Sequence, residues 1–462
     1  MHGRSRHLAR PLLPLGSERT FGVFVILVLA VFLMGGGSRP DIQSLAILRP
    51  LALLAAAVGV LGLDRATLRA YSVPFLLLAA LALLMVAQLI PLPPSIWTHL
   101  PWRETIAQLD EAVGIAGNWR PITLSPMRTA NALAALAVPF AVLVLYCQLG
   151  HRNRDRVLVI LVGIAVADAL LGFVQLLAGA NSGLYTYAIT HRGDAVGFFS
   201  NRNHHAAFLA ASMLIAIHLA MDRCRAGRDM WPMLGFAAAA VLLAGVVTNV
   251  SRAGLLSGAV ALALVPLVIP PRASAAGEGS KAGRRWALSA LLALPALAIF
   301  AVFAIYQRSP ALNRLLAGGT AEDVRLQILP VLARLARDYL PWGAGVGAFE
   351  QAYRMAEPAA LLVPNYFNNA HNDGLQLVIE GGVFGVLIAA AMAVALGVRL
   401  VKLIGAAGPP NARISRAWLG FAVLAVFGFA SLFDYGYGSG RKKRSPEAPV
   451  RTAPSQRRRG YR

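Results

Sequence analysis

Acidic residues are scarce in this sequence. Twenty-one Asp and Glu stand among 462 residues, where average usage would give about three times as many. Charged residues of every kind amount to 14%. That excludes a water-soluble globular protein, and the shortage of polar sequence excludes a disordered or collagen-like one. Cysteine is nearly absent. Cys147 sits in an apolar run and Cys224 in a basic stretch, which provides neither a disulfide framework nor a zinc site. There is no Gly-x-Ser-x-Gly elbow, and the glycine-rich segment at 341–347 lacks the Lys-Ser/Thr of a nucleotide loop.

What the chain has is apolar length. Hydrophobic residues make up 57% and the mean hydropathy is +0.61. A helix needs roughly 20 predominantly apolar residues to cross a bilayer core. Runs of that kind occupy Phe21–Met34, Leu45–Leu63, Val73–Ile90, Ala130–Leu149, Val157–Ala178 and His204–Met221. They continue at Trp231–Val250, Gly254–Ile269, Trp286–Tyr306, Leu375–Leu400 and Ala417–Phe433. The reading is an all-α polytopic membrane protein with about 11 transmembrane helices. The first run is followed by Gly-Gly-Gly-Ser rather than a small-x-small cleavage site, so it is read as a retained span.

The formal charge of +22 is spread in short clusters between these runs, the pattern that sets membrane orientation rather than one that binds nucleic acid. With residues 1–20 in the cytoplasm, the inner segments collect Arg65, Arg69 and the clusters at Arg152–Arg156, Arg223–Arg228, Arg272–Arg285 and Arg399–Arg416. The short outer segments hold only Arg39, Arg192, Arg202 and Arg252. Two long loops then lie outside, Pro91–Thr129 and Gln307–Gly374. The tail disagrees: eleven spans put the basic stretch Arg441–Arg462 outside, against the charge rule. Its composition is that of a disordered segment.

The loop 307–374 is the one large enough to form a subdomain. Apolar residues recur at helical spacing from Val324 to Leu340, which predicts an amphipathic helix near the membrane surface. The glycines of Pro341-Trp342-Gly343-Ala344-Gly345-Val346-Gly347 read as a turn that passes close to something. Where the loop re-enters the membrane stands His371, with Asn372 and Asp373 as polar neighbours and Glu380 inside the following span, where a carboxylate is a functional candidate by default. Asp168, in an earlier span, is read as a counter-ion or, better, a helix–helix hydrogen bond. Among the outer arginines, Arg252 is pinned in the hairpin Thr248–Gly254, Arg325 opens the amphipathic helix, and Arg192 precedes the motif Gly197–Asn203. Single arginines snorkel, whereas several converging would bind an anion, diphosphate above all, through bidentate contacts. The outer loops carry no Asp-x-Asp or Glu-x-Asp triplet, so arginines rather than a metal are expected to neutralise it, and no cofactor is expected.

In this order the motifs Gly197–Asn203, Ser251-Arg252-Ala253-Gly254, Arg325, Pro341–Phe349 and His371–Gly382 resemble the O-antigen ligase and polymerase superfamily of bacterial envelopes. The resemblance runs over about 200–434. It implies a membrane glycosyltransferase of the GT-C type in the bacterial inner membrane, with its site facing the periplasm. The donor it implies is a glycan on undecaprenyl diphosphate. A ligase passes that glycan to lipid A–core, a polymerase to the next repeat unit on a lipid carrier, and a related group to protein. By motif, His371 falls on the family's functional histidine and Arg252 and Arg325 on its arginines, joined by Arg192. Asn372, Asp373, Glu380, Asn203 and Asp434 are the supporting set. The implied organisation is N-terminal helices over 21–203 with outer loop 91–129, a ligase-related core over 204–434, and the basic tail 435–462. Family members continue past the equivalent of Asp434 into a twelfth span. Here Gly436-Tyr437-Gly438 and the basic tail follow instead, which suggests a truncated or frame-shifted end. A lipid-linked glycan transporter is the competing class; it would carry charges along its spans and repeat symmetry, neither of which is evident.

Overall fold

The structure, a computed structural model, describes residues 16–39, 42–225, 230–249, 251–269, 320–359, 369–370, 372–405 and 412–432. The chain enters on α1 (Ser17–Met34), α2 (Leu45–Leu61), α3 (Arg65–Ala70) and α4 (Ser72–Leu89). The first long loop holds β1 (Pro91–Leu92), α5 (Pro94–Trp97), α6 (Glu104–Ala112) and β2 (Arg120–Pro121). Then follow α7 (Pro126–Ala135), α8 (Ala137–Tyr146), α9 (His151–Ala178), α10 (Arg202–Arg225), α11 (Met230–Thr248) and α12 (Arg252–Val268). The last elements are α13 (Thr320–Asp338), α14 (Phe349–Ala356), α15 (Asp373–Ile404) and α16 (Ala412–Leu432).

Among the described residues, eight helical stretches are long and apolar enough to cross a membrane, and α2 and α12 are shorter apolar helices. These coincide with ten of the eleven expected spans. The other, 286–306, lies outside the described residues, as do 1–15 and the tail with Asp434. The protein is an all-α polytopic membrane protein. Boundaries shift at three places. α1 begins at Ser17, inside the segment read as the cytoplasmic N-terminus. The fourth span begins at Pro126 rather than Ala130, because a proline is well placed in a first helical turn, where no N–H is needed. The amphipathic helix runs Thr320–Asp338 rather than Val324–Leu340.

Contacts between helix ends sort the loops into two groups. At one end Asn153 Nδ2 donates to Ser17 O at 3.3 Å, Arg156 pairs with Glu18 at 2.9 Å, and Arg416 pairs with Asp155 at 3.0 Å. The Arg154 guanidinium lies over the rings of Tyr71 and Tyr146. This end gathers Arg154, Arg156 and Arg416, from clusters assigned to the inside. At 1.5 Å per residue, the 28-residue α9 is about 42 Å long, so its basic first turns extend past a hydrocarbon core of about 30 Å. At the other end the segment after α1 meets the segment before α10: Ser200 N donates to Gly36 O and Ser38 N to Ser200 Oγ.

Helix α10 is the hub. Its Leu209, Met213 and Leu214 are buried against Leu242 and Val246 of α11, Ala261 and Val265 of α12, and Val426 of α16. A second core joins Phe24 and Leu27 of α1 to Ala52 and Ala55 of α2 and Val144 and Leu145 of α8. Small residues let these helices approach closely, which is how packing is gained where lipid removes the hydrophobic incentive. Helix α15 is the opposite case: Phe384, Leu387, Val394 and Val401 are exposed, an apolar row suited to acyl chains.

The loop between α4 and α7 is a small folded unit. β1 pairs antiparallel with β2. Arg120 donates to both carboxylate oxygens of Asp110, at 2.6 Å through Nε, and this holds the Asp110 carboxyl below the usual carboxylate range. Arg103 is buried against the carbonyls of Pro121 and Ile122, and burial pushes its guanidinium down to about 10.

Candidate functional site

The segment joining α9 to α10 is strapped down by polar side chains that project from inside the spans. Asp168 Oδ1 accepts from Phe198 N at 2.7 Å. Gln175 Oε1 accepts from Val196 N and Gly197 N at 3.1 and 2.8 Å, while its Nε2 donates to Gly197 O at 2.9 Å. Beneath it, Asn249 Nδ2 donates to Ala195 O at 2.8 Å, and His205 Nε2 lies 3.3 Å from Asp168 Oδ2. Asp168 therefore fixes the loop and comes close to α10 at His205, but the helix–helix hydrogen bond favoured from the sequence is not formed between these two atoms. Asn203 is buried, and its Oδ1 accepts from Ser251 Oγ at 2.6 Å. Ser251 Oγ in turn accepts from Gly254 N at 3.0 Å, capping α12. The backbone of Arg252 thus has its position set by a hydrogen-bonded cap.

Above this layer lies a cavity of about 420 Å³. Its walls include Phe32, Phe199, Phe208 and Phe427. Its polar lining is Asn203, His204, Ser257, Asp373 and Ser431. It is contributed by the ends of α1 and α16 and the starts of α10, α12 and α15. A concave apolar chamber with a few convergent polar groups is the usual form of a ligand site. Among the described residues no three His, Cys, Asp or Glu side chains gather as a metal-binding group.

A second constellation explains the glycine-rich segment. α15 is broken at Gly382, where φ is 58° and ψ is −151°. The backbone groups freed by the break bond to the 341–345 segment: Ala344 N donates to Ile379 O at 2.7 Å, Gly345 N to Glu380 O at 3.0 Å, and Val383 N to Pro341 O at 2.9 Å. The approach is so close that a Cβ on Gly382 would stand 2.2 Å from Pro341 O, and one on Gly343 2.3 Å from Glu380 O. Buried Gln88 of α4 ties the junction together, donating to Glu380 O at 2.8 Å and accepting from Val346 N at 2.9 Å. The turn that must pass close to something passes close to a broken helix. Glu350, buried behind it, pairs with Arg128 and with Arg354.

Several expected site residues are accounted for by these contacts. Glu380 is buried, and its Oε1 accepts from Phe349 N at 3.0 Å and from Gln376 Nε2 at 3.3 Å. It caps the first turn of α14 and lies outside the cavity lining, so the structure gives this intramembrane carboxylate a structural task. Glu380→Gln keeps an acceptor for Phe349 N and should leave the thermal midpoint of the purified protein near that of the parent. Glu380→Ala orphans that N–H and should cost about 1–3 kcal/mol; equal midpoints for the two variants would remove the capping role. Asn372 caps α15, its Oδ1 accepting from Leu375 N at 3.0 Å. Asp373 reaches the cavity. Arg192 does not: it is exposed, lies over the Tyr185 ring, and donates to Ala180 O and Ser182 O at 3.3 and 3.5 Å. Its own loop folds back beneath the guanidinium, which a motif position does not reveal. His371 and Asp434, with the side chains of Arg252 and Arg325, lie outside the described residues.

Sequence reading passed over Gln88, Gln175, His205 and Asn249 as site-building residues, and over His204, whose side chain lines the cavity. The available signal was a polar amide or imidazole within or beside an apolar run, which is costly in lipid unless partnered.

No curated protein matches the chain. Residues 237–390 match the model of the family described as O-antigen ligase. That stretch contains Arg252, Arg325, His371 and Glu380; Arg192, Asn203 and Asp434 fall outside it. Over this region, a third of the chain, the sequence is similar to the O-antigen ligase family.

Proposed function

We propose that this protein is a glycosyltransferase that moves a glycan from undecaprenyl diphosphate to an acceptor hydroxyl of lipid A–core, at the periplasmic face of the bacterial inner membrane. The observation that supports it most is the cavity of about 420 Å³. Its aromatic walls suit a prenyl chain, and its polar lining lies at helix ends that the proposed reacting groups share. Ala253 directly follows Arg252, Asp373 is two residues beyond His371, and Ser431 stands three before Asp434. In this reading His371 takes the proton of the acceptor hydroxyl as that oxygen attacks the anomeric carbon. The bond from that carbon to the diphosphate oxygen breaks, and the configuration inverts. Arg252 and Arg325 hold the diphosphate and stabilise the charge that develops as it leaves, with no metal. Asn203 and Asn372 position the backbones of Arg252 and α15.

Incubating the purified full-length chain with lipid-linked glycan, with and without lipid A–core, tests the proposal. Glycan on lipid A–core is the expected product. Lengthened glycan on the lipid carrier would replace the ligase reading by the polymerase one, and unchanged donor in both reactions would end the transferase reading.

A further inference from the structure

We infer that the basic end of the bundle, opposite the candidate active site, holds a binding site for an anionic membrane phospholipid, phosphate on Arg154 and an acyl chain between α9 and α16. A cavity of about 580 Å³ lies there. Its lining changes character along the helices. His151, Arg154 and Asp155 come from the first turns of α9 and Arg416 from the start of α16, whereas Leu158, Leu161 and Val423 lie one to three turns deeper. That is the layout of a phospholipid, charged at the interface and aliphatic beyond it.

The charges decide which lipid. Among the described residues Asp155 is the one carboxylate on the lining, and Arg416 neutralises it at 3.0 Å. Arg154 has no acidic partner among the described residues. Its Nη2 donates to Cys147 O at 3.2 Å, its guanidinium lies 5.3 Å from the Tyr146 ring centroid, and its Nε is buried with no acceptor. A buried guanidinium donor left unpaired is costly, and most such groups in folded proteins have partners. A phosphate oxygen matches its planar fork. Basic pockets between membrane helices, on the side that carries the Lys/Arg excess, are where anionic headgroups are bound. A zwitterionic lipid would offer the same phosphate but bring an ammonium next to two guanidinium groups.

The test is native mass spectrometry of the purified full-length chain in detergent, titrated separately with phosphatidylglycerol, phosphatidylethanolamine and inorganic phosphate. Phosphatidylglycerol should bind at least about tenfold tighter than phosphatidylethanolamine, and inorganic phosphate more weakly than either. Arg154→Gln should weaken phosphatidylglycerol on the order of tenfold to a hundredfold, as expected for one charge-assisted hydrogen bond, with Arg154→Lys in between. Arg154 also supports the end of α8, so a second variant leaves every charge in place. Leu158→Trp fills the apolar slot and should displace phosphatidylglycerol while leaving inorganic phosphate as in the parent. Equal binding of the two lipids, undiminished phosphatidylglycerol binding in both Arg154→Gln and Leu158→Trp, or inorganic phosphate binding as tightly as the lipid would overturn the inference.

Discussion

Alanine at position 371 should reduce glycan transfer on the order of 10²–10⁴-fold while membrane yield and thermal midpoint stay at parental values. The donor is already activated by its diphosphate, so the work left to the protein is removal of one proton from the acceptor and accommodation of charge on the leaving group. A neutral imidazole suits the first task near neutral pH. A base works in its deprotonated form, so transfer by the parent should fall as the medium is acidified and the imidazole takes up a proton. His371→Ala should lose that acid limb along with the rate. The rival imidazole is His204, whose side chain lines the cavity. His204→Gln should keep the acid limb if His371 is the base. A variant pair in which His204→Gln loses it and His371→Ala transfers at a near-parental rate would move the assignment to His204.

Gly382→Ala should destabilise the protein by about 3 kcal/mol or more, read as a lowered thermal midpoint and faster proteolysis in detergent. The position has φ 58° and ψ −151°, a conformation that residues with a Cβ rarely adopt. The added methyl would also meet Pro341 O at 2.2 Å and Gly343 N at 2.7 Å, both backbone atoms held by hydrogen bonds. Neither can step aside without opening the junction between α15 and the 341–345 segment. The control is Gly397→Ala in the same helix, where nothing lies within 4 Å of the new methyl. That change should be neutral or slightly stabilising, because alanine favours helix and glycine does not. A parental midpoint for Gly382→Ala would show that the break in α15 relaxes freely.

The spans were legible because the bilayer imposes a length on apolar runs, and the two-ended sorting was legible because arginine avoids crossing it. The contact at Gly382 was half legible. Glycines at 343, 345 and 347 signal close approach, but Gly343 meets a helix break more than thirty residues later while Gly345 and Gly347 meet Thr123 and Arg128 around the start of α7, and nothing local encodes those pairings. Glu380 was misleading for a related reason. A carboxylate in a span is expensive, and the sequence does not say whether function or a neighbouring helix cap offsets the expense. Arg192 shows the converse: its charge and motif pointed to the site, while the turn that folds beneath it directs the guanidinium to nearby carbonyls.

Among the eight described helices long enough to cross a membrane, α10 is the one that lipid alone supports least. Its mean hydropathy is 1.5, against 2.7 for α9, and it carries Asn203, His204, His205, Ser212 and His218 along its length. Those groups are tolerable because neighbouring helices surround it and supply partners such as Val268 O for His218 Nδ1 and Asn249 Nδ2 for His205 Nδ1. During biosynthesis α9 precedes it while α11, α12 and α16 follow. The insertion machinery must therefore retain α10 beside α9 until later translated helices arrive, so its final environment is assembled out of chain order.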